Sequence, residues 1–230
     1  MKSAFKSVIK FLGIGVMVIL AQGTATAGPG DVEKSGASWW QWALSIPADV
    51  NPLVDPTGEH CLVGQSGGVW YLAGTFGGPT SAERTCTVPA GTAFFVPVIN
   101  FVNINAPNVC GQGPDNVSVD DLRAAIAPAI DAAANLSLTV DGVGVSNVHR
   151  TKSGVFAATL PDDNIFEPLC GGPGTVPAGV YSPAVDDGYY GQVNALSAGW
   201  HVLHIYGESP SGTIAVDVTY HLNAVATINH

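Results

Sequence analysis

The chain has 230 residues, 47% of them hydrophobic, with 18 Asp and Glu against eight Lys and Arg, a formal charge of −10. That balance repels phosphate backbones and anionic lipid, so neither nucleic acid nor an acidic membrane surface is an expected partner. The acids are scattered through apolar text rather than gathered in blocks, which predicts a folded chain and not a disordered tail.

The chain opens with Lys2, Lys6 and Lys10, then an apolar run from Phe11 to Ala21, then Ala25-Thr26-Ala27. A positive start, a short apolar core and a small-x-small end predict a secretory signal peptide over residues 1–27, cleaved after Ala27. The apolar run is too short to span a bilayer. Residues 28–230 are expected to form a single domain, with five cations against all 18 acids, a formal −13. The cysteines are Cys61, Cys86, Cys110 and Cys170. An even count in an exported chain reads as disulfides. Of the three connectivities, Cys61–Cys86 and Cys110–Cys170 are expected. The first closes a local loop with room for one out-and-back hairpin, and the second joins two glycine-rich stretches.

Ser38 and Gln41 read as a capping box for a helix carrying Trp39, Trp40 and Trp42 and stopped by Pro47. This helix is expected to plug one end of a β core rather than display stacking rings. Strand text follows at Val69–Ala73 and Thr92–Val102. The second is broken by Pro97, which suits an edge or a bulge. A second helix, capped by Ser118, carries Leu122, Ile126, Ile130 and Ala133, and Pro128 is expected to kink or split it. Leu136, Leu138 and Val140 alternate into an Asp141-Gly142 turn. Val155–Leu160, Trp200–Tyr206 and Thr213–Leu222 read as further strands. In the last, Ile214, Val216, Val218, Tyr220 and Leu222 share one face. The pattern predicts a mostly β fold, an antiparallel, jelly-roll-like β-sandwich with two short helical insertions.

The run "GQSGG" (64–68) fits the G-x-S-x-G pattern of serine hydrolases. A nucleophile elbow needs a strand before the serine and a helix after it. Here a strand follows, and His60 lies only six residues upstream. Ser66 therefore reads as a turn residue. In "HVLH", His201 and His204 fall on opposite faces of a strand and do not form a metal pair. His221, sharing a face with Asp217 and Thr219, is the more credible ligand. The pairs Asp162-Asp163 and Asp186-Asp187 read as loop residues, with calcium the less favoured alternative. No catalytic or metal-binding residue is assigned, no cofactor is implied, and the ligand-binding residues stay unspecified.

The stretches "WWQW", "NPLVDPTGEHCLVGQSGGVWYLAG" and "RTCTVPAGTAFFVPVIN", with "DDGYY", "SAGWHVLHIYG" and "VDVTYHL", resemble an uncharacterised family of secreted bacterial proteins. Cys61 and Cys86 belong to its signature, so the resemblance supports their pairing. It implies no activity. The expected function is non-enzymatic binding of a surface ligand or protein partner by a secreted or periplasmic protein. A secreted hydrolase acting on glycan or ester, and a structural component of an envelope or matrix, are the alternatives. A deep pocket joining carboxylates to His60, His201 or His221 favours the enzyme. A face with exposed Trp or Tyr favours binding.

Overall fold

The computed structural model describes residues 29–66, 68–77, 80–209 and 215–226, with side chains from Gly36 onward. The leader and Ala27 lie outside the described residues, as do Ile214 and His230.

The first helix, α1 (Pro29–Leu44), begins well before Ser38. Proline suits the first turn, where its missing N–H costs nothing, and Ser38 becomes an exposed position inside the helix instead of its cap. The helix stops short of Pro47, as expected. Ten strands follow among the described residues: β1 (Val69–Tyr71), β2 (Thr80–Pro89), β3 (Ala93–Ile104), β4 (Ala134–Val140), β5 (Val143–Gly144), β6 (His149–Lys152), β7 (Phe156–Leu160), β8 (Gly179–Val193), β9 (Gly199–Glu208) and β10 (Ala215–Val225). Helix α2 (Val119–Asp131) lies between β3 and β4, and the short α3 (Glu167–Cys170) between β7 and β8. Ser118 caps α2 by accepting from the Asp121 N–H, and Leu122, Ile126 and Ile130 are its buried stripe. The helix runs through Pro128 as one element, so the expected split is absent.

The strands form a mostly β sandwich of two five-stranded sheets. Sheet A has the order β1-β3-β8-β6, with β7 also on β8; sheet B has the order β2-β10-β9-β4-β5. Two pairings are parallel, β1 with β3 and β2 with β10, and the rest are antiparallel. Alternation along β3 sends Phe94, Val96 and Val98 into the core between the sheets, where Leu203, Ile205, Val218 and Leu222 meet them. Phe95 faces the other way, onto the tryptophans of α1. The helix therefore covers the outer face of sheet A and does not plug an end. Trp39, Trp40 and Trp42 are all buried, and each indole N–H has an acceptor: Leu72 O, Asp186 Oδ1 and Val63 O at 3.0, 2.7 and 3.0 Å. Buried indoles need such partners.

β8 is the longest strand and the centre of sheet A, yet its text reads as a loop. Pro183 and the Asp-Asp-Gly run masked it. Asp186 and Asp187 thus sit in mid-strand, both buried, and not in a loop. Disulfides join Cys61 to Cys86 and Cys110 to Cys170. The residues between Cys61 and Cys86 do not form a hairpin. β1 enters sheet A and β2 enters sheet B, so this bridge fastens the turn before β1 to the other sheet. Among the described residues no helix is long and apolar enough to cross a membrane.

Candidate functional site

β3 has β8 along one side over most of its length, but on the other side β1 reaches only Ala93–Phe95. In an antiparallel ladder, successive residues point their N–H and C=O groups to opposite edges. Asn105 donates its N–H to Pro183 O, toward β8. Asn103 and Phe101 follow that parity, so Ile104, Val102 and Asn100 direct their backbone groups to the open edge. Gln112 confirms the direction: its side-chain Nε2 donates to Ile104 O at 2.7 Å and its Oε1 accepts from Ala106 N–H at 2.8 Å. The amide of Gln65 does the same for β1, bonding Tyr71 O at 2.7 Å and Tyr71 N–H at 2.9 Å. Two side-chain amides thus cap the edge as a neighbouring strand would.

Between them the edge from Pro97 to Val102 is uncovered among the described residues. Pro97 has no N–H to lose, and a bulge between Pro97 and Ile99 resets the register there. A groove of about 420 Å³ lies along this edge, walled by Leu53, Gly74, Phe76, Phe166, Leu169 and Val216. A second cavity of about 170 Å³ continues past Val102 to the Cys110–Cys170 bridge. The larger volume is in the range that holds small ligands.

A polar cluster backs the groove. Trp40 and Asn100 line it. Trp40 Nε1 donates to Asp186 Oδ1 at 2.7 Å, Tyr190 OH donates to the same oxygen at 2.5 Å, and Asn100 Nδ2 donates to Tyr190 OH at 3.2 Å. Asp186 Oδ2 is buried with no hydrogen-bond partner among the described residues. Burial pushes the Asp186 carboxyl up to about 7, against the hydrogen bonds from Tyr190 and Trp40 that favour its ionised form. Burial, followed by the charge of Asp186, raises the Tyr190 phenol well above its usual range. Helix α1 also packs tightly at Gly36, where an added Cβ would lie 2.8 Å from Asp186 Oδ2.

The opposite wall is fixed by Arg84, which is buried on β2. Its guanidinium donates to the carbonyls of Asp55, Ala73 and Gly74 at 2.7, 2.7 and 3.0 Å, and to Tyr220 OH at 2.7 Å. Tyr220 OH in turn donates to Ala73 O and accepts from Ala73 N–H. The backbone at Ala73-Gly74 is thereby held to sheet B. Burial works to raise the Asp55 carboxyl, but hydrogen bonds led by the His60 N–H outweigh it and hold the group below the usual range.

Of the residues singled out from sequence, Trp40 and Asp186 meet behind the groove, and the others lie elsewhere. Ser66 is exposed before β1, and no histidine nitrogen bonds it among the described residues. His60 is engaged through its backbone N–H, which donates to Asp55 Oδ2. His204 pairs with Asp217 at 2.8 Å and His221 with Glu83 at 2.9 Å, both on the outer face of sheet B. Trp200 stands on that face, 64% exposed. Asp163 accepts the Asp49 N–H, whereas Asp187 is held by two nitrogens of Arg150 at 2.9 and 2.7 Å. Among the described residues no three His, Cys, Asp or Glu side chains gather as a metal site would require.

Sequence reading missed one constellation. His201 Nδ1 lies 2.8 Å from Asp141 Oδ2, and its Nε2 lies 3.3 Å from Ser197 Oγ. The connectivity is that of a catalytic triad, but Nε2 is nearer to the Ser197 carbonyl oxygen, at 3.0 Å. Both ring nitrogens face oxygens, which favours imidazolium; the hydrogen bond to Asp141 is the main cause raising the His201 pKa. A general base must instead offer a bare nitrogen to the hydroxyl. Asn100 was missed, as was the meeting of Trp40 with Asp186, because a strand edge is defined by what fails to pair with it and carries no spacing signal. Set against known families, curated proteins and solved structures, the chain finds no match.

Proposed function

We propose that the protein is an exported, non-enzymatic binding protein whose ligand occupies the groove along β3. The groove itself carries this reading: it is the larger of the two cavities described above, its walls are mostly apolar, and two of its polar lining residues, Trp40 and Asn100, are tied to a buried acid. Convergence of an apolar pocket with a few fixed polar groups and a perturbed carboxyl is the usual signature of a ligand site. The two disulfides and the expected leader support an oxidising compartment.

The test is titration with N-phenyl-1-naphthylamine, an apolar dye that brightens on leaving water. The exported protein should bind it with Kd in the micromolar range, and Leu169→Arg should weaken binding about tenfold. Leu169 is exposed on the groove wall, so this change should leave the fold intact. Equal brightening by the variant would remove the groove from the reading.

A secreted hydrolase is the second reading, and it draws on Ser197, His201 and Asp141. Labelling by a fluorophosphonate that disappears in Ser197→Ala would promote it. Labelling lost in Ser66→Ala would instead restore the "GQSGG" serine.

A further inference from the structure

We infer that the groove takes an extended polypeptide segment of a partner protein, which adds to sheet A as a strand along Asn100–Val102. The inference rests on the groove being the ligand site and names the class of its occupant. An acyl chain or a rigid ring system would fill the apolar walls but leave the outward N–H and C=O groups of Asn100 and Val102 without partners. An added strand supplies them, and main-chain pairing at a free sheet edge is an established mode of peptide capture. The two glutamine caps bear on this point. Unpaired edges recruit foreign strands, and proteins blunt them. Here the edge is blunted at Tyr71 and again at Ile104–Ala106, by side-chain amides placed as peptide groups, while no strand lies along it from Pro97 to Val102 among the described residues.

The walls define the segment's centre. Phe166 and Leu53 flank one side of the open edge and Val216 the other. A strand between two apolar walls is buried on both faces, so its core reads as a continuous run of about four apolar residues and not as an alternating pattern. Charge defines its flanks. The protein carries 18 acids against eight bases. No charged side chain lines the groove among the described residues, so the net negative charge of the chain sets the long-range field there and favours a segment with Lys or Arg on either side of its apolar core.

The experiment is selection of a displayed library of random dodecapeptides on the exported protein with both disulfides intact. Peptides that also bind Leu169→Arg are subtracted. The expected winners have a short apolar run with basic flanks. A synthetic winner should slow amide hydrogen exchange at Asn100 and Val102 at least tenfold. N-methylation of alternate peptide nitrogens on its pairing edge should cost at least tenfold in affinity, while methylation on the other edge should be tolerated. Raising salt from 50 to 500 mM should weaken it several-fold, since exposed charges are screened over ~4 Å at the higher strength.

Winners that leave Asn100 and Val102 exchange unchanged would overturn strand addition. So would failure to enrich any peptide while N-phenyl-1-naphthylamine still binds. The first result would leave the groove as a site that holds peptides by side chains alone, and the second as a site for a lipidic ligand. A dimer that Leu169→Arg dissociates would assign the edge to a second copy of this chain and overturn the proposal. If neither peptide nor dye binds, the groove reading fails along with it.

Discussion

Asp186 and Asp187 are neighbours in one strand and solve the same problem in opposite ways. Both are buried in sheet A. Asp187 faces a cation: Arg150 grips both carboxylate oxygens and reaches on to Asp131 at 2.6 Å, and the hydrogen bond with Asp187 is the main cause holding the guanidinium above its usual pKa. Asp186 faces α1 and receives two neutral donors, the indole of Trp40 and the phenol of Tyr190. Donors without charge do not offset the loss of water around a carboxylate, so its pKa rises. One acid is balanced by a cation, and the other has its pKa raised toward neutrality by burial. The strand's alternation decides which, since it turns one side chain to α1 and the next toward Arg150.

The largest expected effect is the pH slope that Asp186 produces. Its folded pKa, about 7, lies above the unfolded value of 3.8. The stabilisation is therefore complete below the unfolded pKa and is lost as pH rises through 7. Urea unfolding should show roughly 3–4 kcal/mol lost between pH 4 and pH 8 from this group. Asp186→Asn imitates the neutral acid and should flatten that slope. An unchanged slope in the variant would place the proton elsewhere.

The second test breaks the other half of the pair. Arg150→Met leaves Asp187 buried beside no cation, and should cost about 3 kcal/mol at pH 7, within the range for orphaning a buried charge. Arg150→Lys keeps the charge and should recover part of that loss in the same urea titration; no recovery would mean that Arg150 contributes packing and not charge.

A smaller effect is expected from Gly36→Ala. Alanine is favoured in a helix interior by about 1 kcal/mol, yet its Cβ would lie 2.8 Å from Asp186 Oδ2. The clash should win by about 1 kcal/mol, as overpacking commonly does. In an Asp186→Ala background the same change should become stabilising, which a thermal melt of the double variant reads directly.

The smallest effect carries the comparison to the surface, where Asp141 pairs with His201 and is half exposed. The raised His201 pKa contributes stability that is present below its unfolded value and lost as pH rises through the folded one. Solvent screening limits the gain, so His201→Gln should cost no more than about 0.5 kcal/mol at pH 5.5 and nothing measurable at pH 8.5. A larger loss would mean that this clasp, and not only the buried pair, governs the pH response of the fold.

Much of the fold was legible because local chemistry fixes it. Ser118 caps a helix with a three-to-four residue apolar stripe, Asp141-Gly142 turns a hairpin with both residues at positive φ, and the even positions of β10 from Val216 to Leu222 all go inside. Pro97 read as an edge or bulge, and it marks both. β8 was illegible because its sequence pattern is set by partners on two faces. Position 186 answers to α1, 187 to Arg150, and Gly188 to Asn100, whose Cβ leaves no room for another.

By itself, then, the sequence determined the sandwich class, the cap and turn positions and the excess of acid, because periodicity, turn chemistry and charge are properties of neighbours along the chain. The tertiary structure alone decided which acid has a raised pKa, which amides cap the edges of β1 and β3, and where the groove lies. Each of those depends on groups far apart in sequence, as Trp40 and Asp186 are, and on pairings that end at Phe95 and do not resume before Ile104.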